Sequence, residues 1–264
     1  MLNQATINEM REMHLSAMAD AYQIQMEDPK MKDLSFDERL GILVNAEYSN
    51  RKSNKLKKLL HDANLEISTA CIPGIEFNAQ RKLDRNLILQ LASCDYVLEK
   101  RNIFITGATG SGKTYLSCAF GHEACTHYLS TIFVRIPDLL GELRTAAGDA
   151  EELRNDRKLM KVIEKYTKPK LLILDEWLLI APSPKDVELL FEIIHKRSEK
   201  SSTIFCSQFR KEGWYERLGG KGSTLADALM DRINYNSYEI NIEGSDPNFD
   251  VSMRARYGLK QTGK

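Results

Sequence analysis

Residues 107–114, GATGSGKT, have the types and spacing expected of a phosphate-binding loop. The pattern G-x-x-x-x-G-K-[ST] lets the backbone wrap closely around phosphates, with its N–H groups pointing at the phosphate oxygens. Lys113 would reach the β- and γ-phosphates, and the Thr114 hydroxyl would hold Mg²⁺. The alternative is a glycine-rich turn that binds nothing. The predicted nucleotide contacts are Gly107, Ala108, Thr109, Gly110, Ser111, Gly112, Lys113, Thr114 and Tyr115.

A second motif, KLLILDE at residues 170–176, places two acids after an apolar run. Such a run is typical of a strand buried on both faces of a parallel sheet. Asp175 would hold the Mg²⁺ shell, and Glu176 would act as the general base on the attacking water. The alternative is a strand that ends in a solvated acidic turn. Together, and in this order, the two motifs favour nucleotide binding and hydrolysis.

Alternating strand and helix patterns position these motifs. An apolar strand, residues 103–105, leads into the loop, and a helical pattern with Leu116, Phe120 and Ala124 on one face follows it. Further strands are predicted at 131–135, 170–175, 202–207 and 238–242, and helices at 81–99, 137–147, 149–166, 185–199 and 224–233. This alternation predicts an α/β fold with a parallel sheet and ligands at the carboxyl ends of its strands.

The predicted organisation is a helical N-terminal domain at 1–68, a linker at 69–80 and an ATPase domain at 81–264. Capping boxes at Thr6–Glu9 and Ser35–Glu38 indicate two helix starts in the first domain. Its methionine and leucine stripes are interpreted as packing surface, with a partner-binding groove as the alternative.

A basic run at residues 51–58 has two interpretations. It is either a solvated helix face or an electrostatic footprint for nucleic-acid phosphates, and the sequence alone does not separate them. Its candidate DNA contacts are Arg51, Lys52, Lys55 and Lys58.

Two further candidate positions follow from the predicted sheet, and two more candidates are arginines near the end of the sequence. Gln208, after the fourth strand, would orient the hydrolytic water, or is a turn residue bonded to its own backbone. Arg232, near the end of the last helix, would complete a neighbouring subunit's site, or satisfies the helix dipole. Arg254 and Arg256 would reach a phosphate in cis, or form a basic tail.

Composition sets the broad class. The chain has 264 residues, 42% of them hydrophobic and 28% charged, and a formal net charge of zero, so any nucleic-acid binding must come from a local patch. Five cysteines without a C-x-x-C pair favour a reducing cytosol. No signal-peptide pattern and no run of 18 apolar residues are found, which favours a cytoplasmic protein without a membrane span. The five histidines lack metal-ligand spacing, so Mg²⁺ is the only metal expected.

Several segments in a fixed order carry a resemblance to a known family. They are RKSNKLKKLL, IPGIEF, NIFITGATGSGKTYLS, IPDLLGELRTA, LLILDEW, DVELLFEIIHKRSEKSSTIFCSQF, GWYERLGG and LADALMDRI. Over nearly its full length the chain resembles the IstB-like transposition helper ATPases, relatives of the DnaC helicase loaders in the AAA+ superfamily. The chain departs from the family's usual pattern at three positions. Gln208 replaces the usual asparagine, Trp177 replaces the usual leucine or phenylalanine, and Met253 replaces the usual tyrosine.

The resemblance implies an AAA+ P-loop NTPase with sheet order 5-1-4-3-2, a small all-helical N-terminal domain and a reduced or absent helical lid. It implies ATP and Mg²⁺ as cofactors, a ring or helical oligomer on double-stranded DNA, and a cognate DDE transposase as partner. It assigns Lys113 and Thr114 to Walker A, and Asp175 and Glu176 to Walker B. It also makes Gln208 sensor 1, Arg232 the arginine finger and Arg254 a nucleotide contact. The helix at 137–148, with Arg144, would face DNA.

Other functions remain open at this point. A replicative helicase loader would prefer single-stranded DNA, and a neighbouring transposase gene would argue against it. A nucleotide-switched adaptor would hydrolyse ATP only weakly, and Glu176 speaks against it. A small-molecule kinase is disfavoured because no segment offers an acceptor-binding lid.

Overall fold

The computed structural model of this protein describes residues 2–77, 81–148, 153–220 and 222–242. The chain divides into two compact units, Met1–Lys58 and Leu59–Lys264. The domain limits 1–68, 69–80 and 81–264 remain predictions. The predicted reduction of the lid and the roles of Arg254 and Arg256 concern residues outside the described ranges.

The first unit is helical. Its elements are α1 (Leu2–Glu12), α2 (Ser16–Glu27), a 3-10 turn (Pro29–Asp33) and the start of α3 (Phe36–Asp62). The predicted capping box at Thr6 is wrong, because α1 already includes the residues before it. The second box is confirmed: Ser35 donates from N and Oγ to Glu38 Oε2 at 2.8 and 2.7 Å, and Glu38 N donates to Ser35 Oγ at 3.3 Å.

The second unit alternates strands and helices. Its strands are β1 (Asn102–Gly107), β2 (Thr131–Arg135), β3 (Leu171–Asp175), β4 (Ser202–Ser207) and β5 (Ser237–Ile242). Its helices are α4 (Arg85–Ala92), α5 (Asp95–Leu98), α6 (Lys113–Thr126), α7 (Ile136–Ala147), α8 (Leu153–Thr167), α9 (Pro184–Arg197), α10 (Glu212–Arg217) and α11 (Thr224–Asn234). The single helix predicted over 81–99 is two helices, because Cys94 between them has a left-handed conformation (φ 62°), which a continuous α-helix does not allow. Helix α10 was not predicted.

The five strands form one parallel sheet in the order β2-β3-β4-β1-β5. This order confirms the expected AAA+ arrangement, 5-1-4-3-2, since the two are the same order counted from opposite edges. The register pairs Arg135 with Asp175, and Thr106 with Ser207. The carboxyl ends of β1 to β4 therefore meet at one edge of the sheet.

Two apolar clusters cover the faces of the sheet. Phe104, Leu172, Leu174 and Phe205 belong to one cluster, and Ile103, Ile105, Leu171, Ile173 and Ile204 to the other. This split follows the period of two along each strand. Trp177 and Trp214 are fully buried, with ring centroids 6.0 Å apart, and so contribute to packing. No helix in the described ranges is long and apolar enough to cross a membrane.

Candidate nucleotide-binding site

The phosphate-binding loop joins the end of β1 to the start of α6. Gly107 has φ 154°, and a Cβ atom there would lie 2.5 Å from the Ile242 carbonyl oxygen, so the position requires glycine. Gly112, with φ 96°, turns the chain into the first residue of α6. The N-terminus of α6 therefore begins at the loop, where its dipole favours an anion.

The loop is closed around the Lys113 ammonium group. Lys113 Nζ donates to the carbonyl oxygens of Gly107 and Ala108, both at 2.8 Å. The side chain is buried, and burial lowers the pKa of Lys113, while the fields of Cys206 and Asp175 act in the opposite direction. The Lys113 ammonium group has three N–H donors, and these two carbonyl oxygens accept from two of them. Phosphate oxygens of a bound nucleotide would accept from the same donors.

A buried hydroxyl in the loop fits a nucleotide ligand. Ser111 Oγ is buried and finds no hydrogen-bond partner within the described ranges. An unpaired buried hydroxyl costs free energy, and a phosphate oxygen would remove that cost. Thr109, Gly110 and Ala108 lie in the same loop, and their nucleotide contacts remain predictions.

Arg81 ties the loop to the preceding segment. Its guanidinium is buried and donates from Nη1 to Glu76 O at 3.0 Å and from Nη2 to Ser111 O at 2.8 Å. The sequence offered no signal for this role, because Arg81 lies 30 residues before its partner and was predicted to start a helix.

Tyr115 lies against the predicted linker. Its hydroxyl is 3.5 Å from both N and O of Cys71. A Cβ atom at Gly74 would lie 2.2 Å from that hydroxyl, so the 3-10 turn Ile72–Gly74 passes close to the tyrosine. The structure thus assigns Tyr115 a packing contact, and its nucleotide contact remains a prediction.

Thr114 and Asp175, the predicted Mg²⁺ ligands, lie in direct contact. Thr114 Oγ1 donates to Asp175 Oδ2 at 2.7 Å, and Asp175 Oδ1 accepts from Glu176 N at 2.9 Å. Hydroxyl and carboxylate oxygens are the ligand types that Mg²⁺ prefers. The pair therefore fits the ion, and it joins the loop after β1 to the acid that ends β3, with β4 lying between these two strands in the sheet.

Glu176, the predicted general base, follows β3 in a left-handed conformation, with φ 57°. Both of its carboxylate oxygens accept from Arg135 Nη2 at 2.9 Å. Hydrogen bonding to Glu176 raises the pKa of Arg135. Sequence reasoning missed Arg135, although its place at the end of a predicted strand was an available signal. The carboxylate of the predicted general base is therefore paired with the Arg135 guanidinium.

Gln208 is exposed just beyond β4. The preceding Ser207 is buried; its Oγ donates to Trp177 O at 2.9 Å and accepts from Phe209 N at 3.1 Å. These bonds hold the ends of β3 and β4 together beside the phosphate-binding loop. Contact of Gln208 with a water molecule or phosphate remains a prediction.

Arg232 lies at the amino-terminal ends of the strands, opposite the end of the sheet that carries the phosphate-binding loop. It is near the end of α11, and Asn102, the first residue of β1, donates from Nδ2 to the carbonyl oxygen of Ile233 at 3.1 Å. The phosphate-binding loop begins at the other end of β1, and a six-residue strand is about 20 Å long. Arg232 is therefore not brought together with Lys113 and Glu176 of its own chain.

Most of the predicted DNA contacts are solvent-exposed, and several already have intramolecular partners. The basic side chains at 51–58 are exposed; Arg51 Nε donates to Glu47 at 2.8 Å, and Lys52 Nζ lies 4.6 Å from the Tyr48 ring centroid. Arg144 donates to both oxygens of Asp186 at 2.8 and 2.6 Å. DNA contact by any of these residues, including Lys55 and Lys58, remains a prediction.

Asp186 is expected to stabilise the second unit. The Arg144 guanidinium, together with Ser183 in the capping box of α9, holds the pKa of Asp186 well below its usual range although burial opposes this. Asp186→Asn should lower the free energy of unfolding by about 1.5–3 kcal/mol, the contribution of charge-assisted hydrogen bonds. Urea unfolding measures this, with Glu142→Gln, which loses the exposed pair with Lys165, as the control.

The pH dependence of that difference follows from the direction of the shift. A lowered pKa contributes stability above the unfolded value, about 3.9 for aspartate, and loses it as the pH falls through the folded value. The difference between Asp186→Asn and the wild type should therefore be constant from pH 5 to 8 and shrink only below about pH 4. A difference that fell between pH 8 and 6 would contradict this assignment.

Comparison with known proteins gives a consistent family. The profile of the family described as IstB-like ATP binding protein matches residues 8–256. An insertion sequence IS1162 ATP-binding protein of Pseudomonas fluorescens is 38% identical over 208 residues, covering 79% of this chain and 87% of that protein. The insertion sequence ATP-binding protein y4pL of Sinorhizobium fredii is 34% identical over 244 residues, covering 92% and 96%. The crystal structure of DnaI matches with a TM-score of 0.52 and 22% identity, covering 73% of this chain and 92% of that one, and supports the fold alone.

Proposed function

This chain belongs to the IstB-like ATP-binding proteins, and we propose that it is a DNA-binding ATPase that assists transposition of an insertion sequence. The observation that carries the proposal is the meeting of Lys113, Thr114, Asp175 and Glu176 at the carboxyl edge of the sheet. A lysine, a hydroxyl and two carboxylates around a backbone loop are the groups that phosphoryl transfer to water requires.

The chemistry follows from these groups. Lys113 Nζ would exchange the carbonyl oxygens of Gly107 and Ala108 for phosphate oxygens, and Thr114 and Asp175 would hold Mg²⁺. When bound, Mg²⁺ neutralises charge on the phosphates. Glu176 would leave Arg135 and accept the proton of the attacking water. Gln208, at the same edge, would orient that water.

The position of Arg232 supports assembly. Arg232 lies at the amino-terminal ends of the strands, so it does not reach the nucleotide bound by its own chain. A nucleotide bound by a neighbouring subunit is not subject to this distance limit. We therefore propose that ATP bridges subunits of a ring or helical oligomer and that Arg232 completes the neighbour's site. Hydrolysis would then reset the assembly.

The insertion-sequence relatives support the choice of partners. We propose double-stranded DNA and the DDE transposase of the same element, with α7 and the basic run at 51–58 as DNA contacts. The five free thiols, four of them buried, suit a reducing cytoplasm.

The test is ATP turnover by the full chain with Mg²⁺ and with duplex DNA, single-stranded DNA or neither. We expect stimulation by duplex DNA and, in electron micrographs with a non-hydrolysable ATP analogue, oligomers on the duplex. Lys113→Ala should abolish ATP binding. Stimulation by single-stranded DNA alone would instead favour a helicase loader, and no affinity for ATP would refute the proposal.

A second candidate function is a nucleotide-dependent switch with weak ATP turnover. The ion pair between Glu176 and Arg135 favours it, because a paired carboxylate is less available as a general base. Arg135→Ala should raise turnover without DNA by about 1.4- to 5-fold, since a partly exposed ion pair contributes about 0.2–1 kcal/mol. Steady-state phosphate release measures this, with Lys165→Ala, which breaks the unrelated pair to Glu142, as the control. An unchanged basal rate would mean that the ion pair does not restrain Glu176.

A further inference from the structure

Two aromatic rings of α9 hold the Arg232 guanidinium at the amino edge of the sheet. Phe191 and His195 are four residues apart, and their rings are stacked with an interplanar angle of 2° and centroids 5.6 Å apart. The Arg232 guanidinium carbon lies 5.0 Å from the Phe191 ring centroid. Arg232 Nε donates to His195 Nδ1 at 3.1 Å. One ring therefore holds the cation by its face, and the other through an edge nitrogen.

These contacts fix the side chain without a carboxylate. Nη1 of Arg232 donates to Ala228 O at 2.7 Å, whereas Nη2 makes no hydrogen bond to the described part of the chain. Arg232 lines a cavity of about 390 Å³, whose other charged lining residues are Lys100, Arg197, Glu99 and Glu199. Glu99 pairs with Arg101 rather than with Arg232. No carboxylate forms an ion pair with Arg232 within the described ranges, and the guanidinium has open space beside it.

The bond to His195 also sets the state of the imidazole. Nδ1 accepts the hydrogen of Arg232 Nε, so the ring proton is on Nε2. Of the acid–base groups on the elements packed here, neither α9 nor α11 places a carboxylate in an ion pair with Arg232 within the described ranges; Glu192 instead pairs with Lys196. Orientation of Arg232 therefore depends on the Phe191 ring and on two uncharged acceptors, His195 Nδ1 and the Ala228 carbonyl oxygen.

We propose that Phe191 and His195 are positioning residues that pre-orient Arg232 for the γ-phosphate of a neighbouring subunit's nucleotide. The inference rests on the proposed function. Arginine loses much rotamer freedom when it engages a ligand, and stacking removes part of that cost before the subunits meet. Displacement of a catalytic group by about 1 Å can cost about 10²-fold in rate, so a freely rotating Arg232 should act poorly.

The experiment compares variants of the full chain with duplex DNA, Mg²⁺ and ATP, where the wild type is assembled. His195→Leu removes the acceptor, Phe191→Leu removes the ring, and His195→Asn keeps an acceptor oxygen near the position of Nδ1. Tyr235→Ser is the matched control, because Tyr235 is an exposed aromatic residue that lines the same cavity. Thermal unfolding and ATP affinity of each variant are measured alongside turnover.

We expect His195→Leu and Phe191→Leu each to lower kcat by about 10- to 100-fold, with unchanged ATP affinity. Phe191→Leu should unfold at a somewhat lower temperature, since Phe191 packs against the apolar core, and it should remain folded at the assay temperature. His195→Asn should restore most of the rate, and Tyr235→Ser should leave it unchanged. Mixing His195→Leu chains with Lys113→Ala chains should recover activity, since the second chain supplies intact positioning residues. A purely structural role would not be rescued in this way.

The outcomes separate the two proposals. If Arg232→Ala slows turnover but His195→Leu and Phe191→Leu do not, the inference is overturned and the proposed function stands. If His195→Asn is as slow as His195→Leu, the acceptor is not the cause and the inference is likewise overturned. If Arg232→Ala itself has no effect, the proposed action in trans fails, and the inference with it.

Discussion

Arg232→Ala is expected to slow ATP turnover of the assembled protein by about 10³–10⁵-fold, the range measured for arginine fingers in GTPases. The physical reason is that the transition state spreads negative charge over the γ-phosphate oxygens, and a fixed guanidinium stabilises that charge. ATP affinity of the separated chain should be unchanged, because Arg232 lies at the sheet edge opposite its own phosphate-binding loop.

Mixing two inactive chains tests the action in trans. Arg232→Ala chains keep an intact Lys113, and Lys113→Ala chains keep an intact Arg232. A mixture with duplex DNA should therefore contain some complete sites and recover part of the activity. Absence of recovery, under conditions where light scattering detects mixed oligomers, would contradict a finger supplied by the neighbour. Arg217→Ala is a suitable control, because that arginine donates to the carbonyl oxygens of Leu178 and Leu179 within its own chain.

Glu176→Gln is expected to lower turnover by about 10²–10⁴-fold, the usual contribution of a general base. The amide has nearly the shape of the carboxylate but cannot accept the proton of the attacking water. ATP binding should persist, since Lys113, Thr114 and Asp175 are unchanged, and the ATP-bound assembly on DNA should accumulate. Turnover, ATP affinity and the oligomer fraction on duplex DNA measure these three effects.

The same substitution also removes the charge that pairs with Arg135. If the ion pair restrains only Glu176, then Arg135→Ala should add nothing to the loss caused by Glu176→Gln, so the double variant should match the single one. Glu142→Gln, which alters an exposed glutamate paired with Lys165, provides the control. Normal turnover by Glu176→Gln would show that another group is the base.

Local patterns predicted the elements on which the site depends. The phosphate-binding loop and the acids after β3 are contiguous in sequence, and strands buried on both faces appear as apolar runs, so the motifs and the five strands were correctly placed. The helix predicted over 81–99 is interrupted at Cys94, which has a positive φ. The interruption was not predicted, because a positive φ on a non-glycine residue has no clear sequence signal. The predicted start of α1 was wrong, because the capping-box pattern at Thr6–Glu9 lies inside a helix that already begins at Leu2.

The amino-acid sequence by itself determined which chemical groups are present and which motif bears each one: glycines for the loop, Lys113 for phosphate, and Asp175 and Glu176 for metal and water. Only the tertiary structure decided what those groups contact. Arg135 meets Glu176 because β2 and β3 pair in one register, Arg81 meets Ser111 across 30 residues, and His195 meets Arg232 where α9 packs on α11. Such contacts depend on the packing of elements distant in the chain, and no local pattern of residue types encodes their geometry.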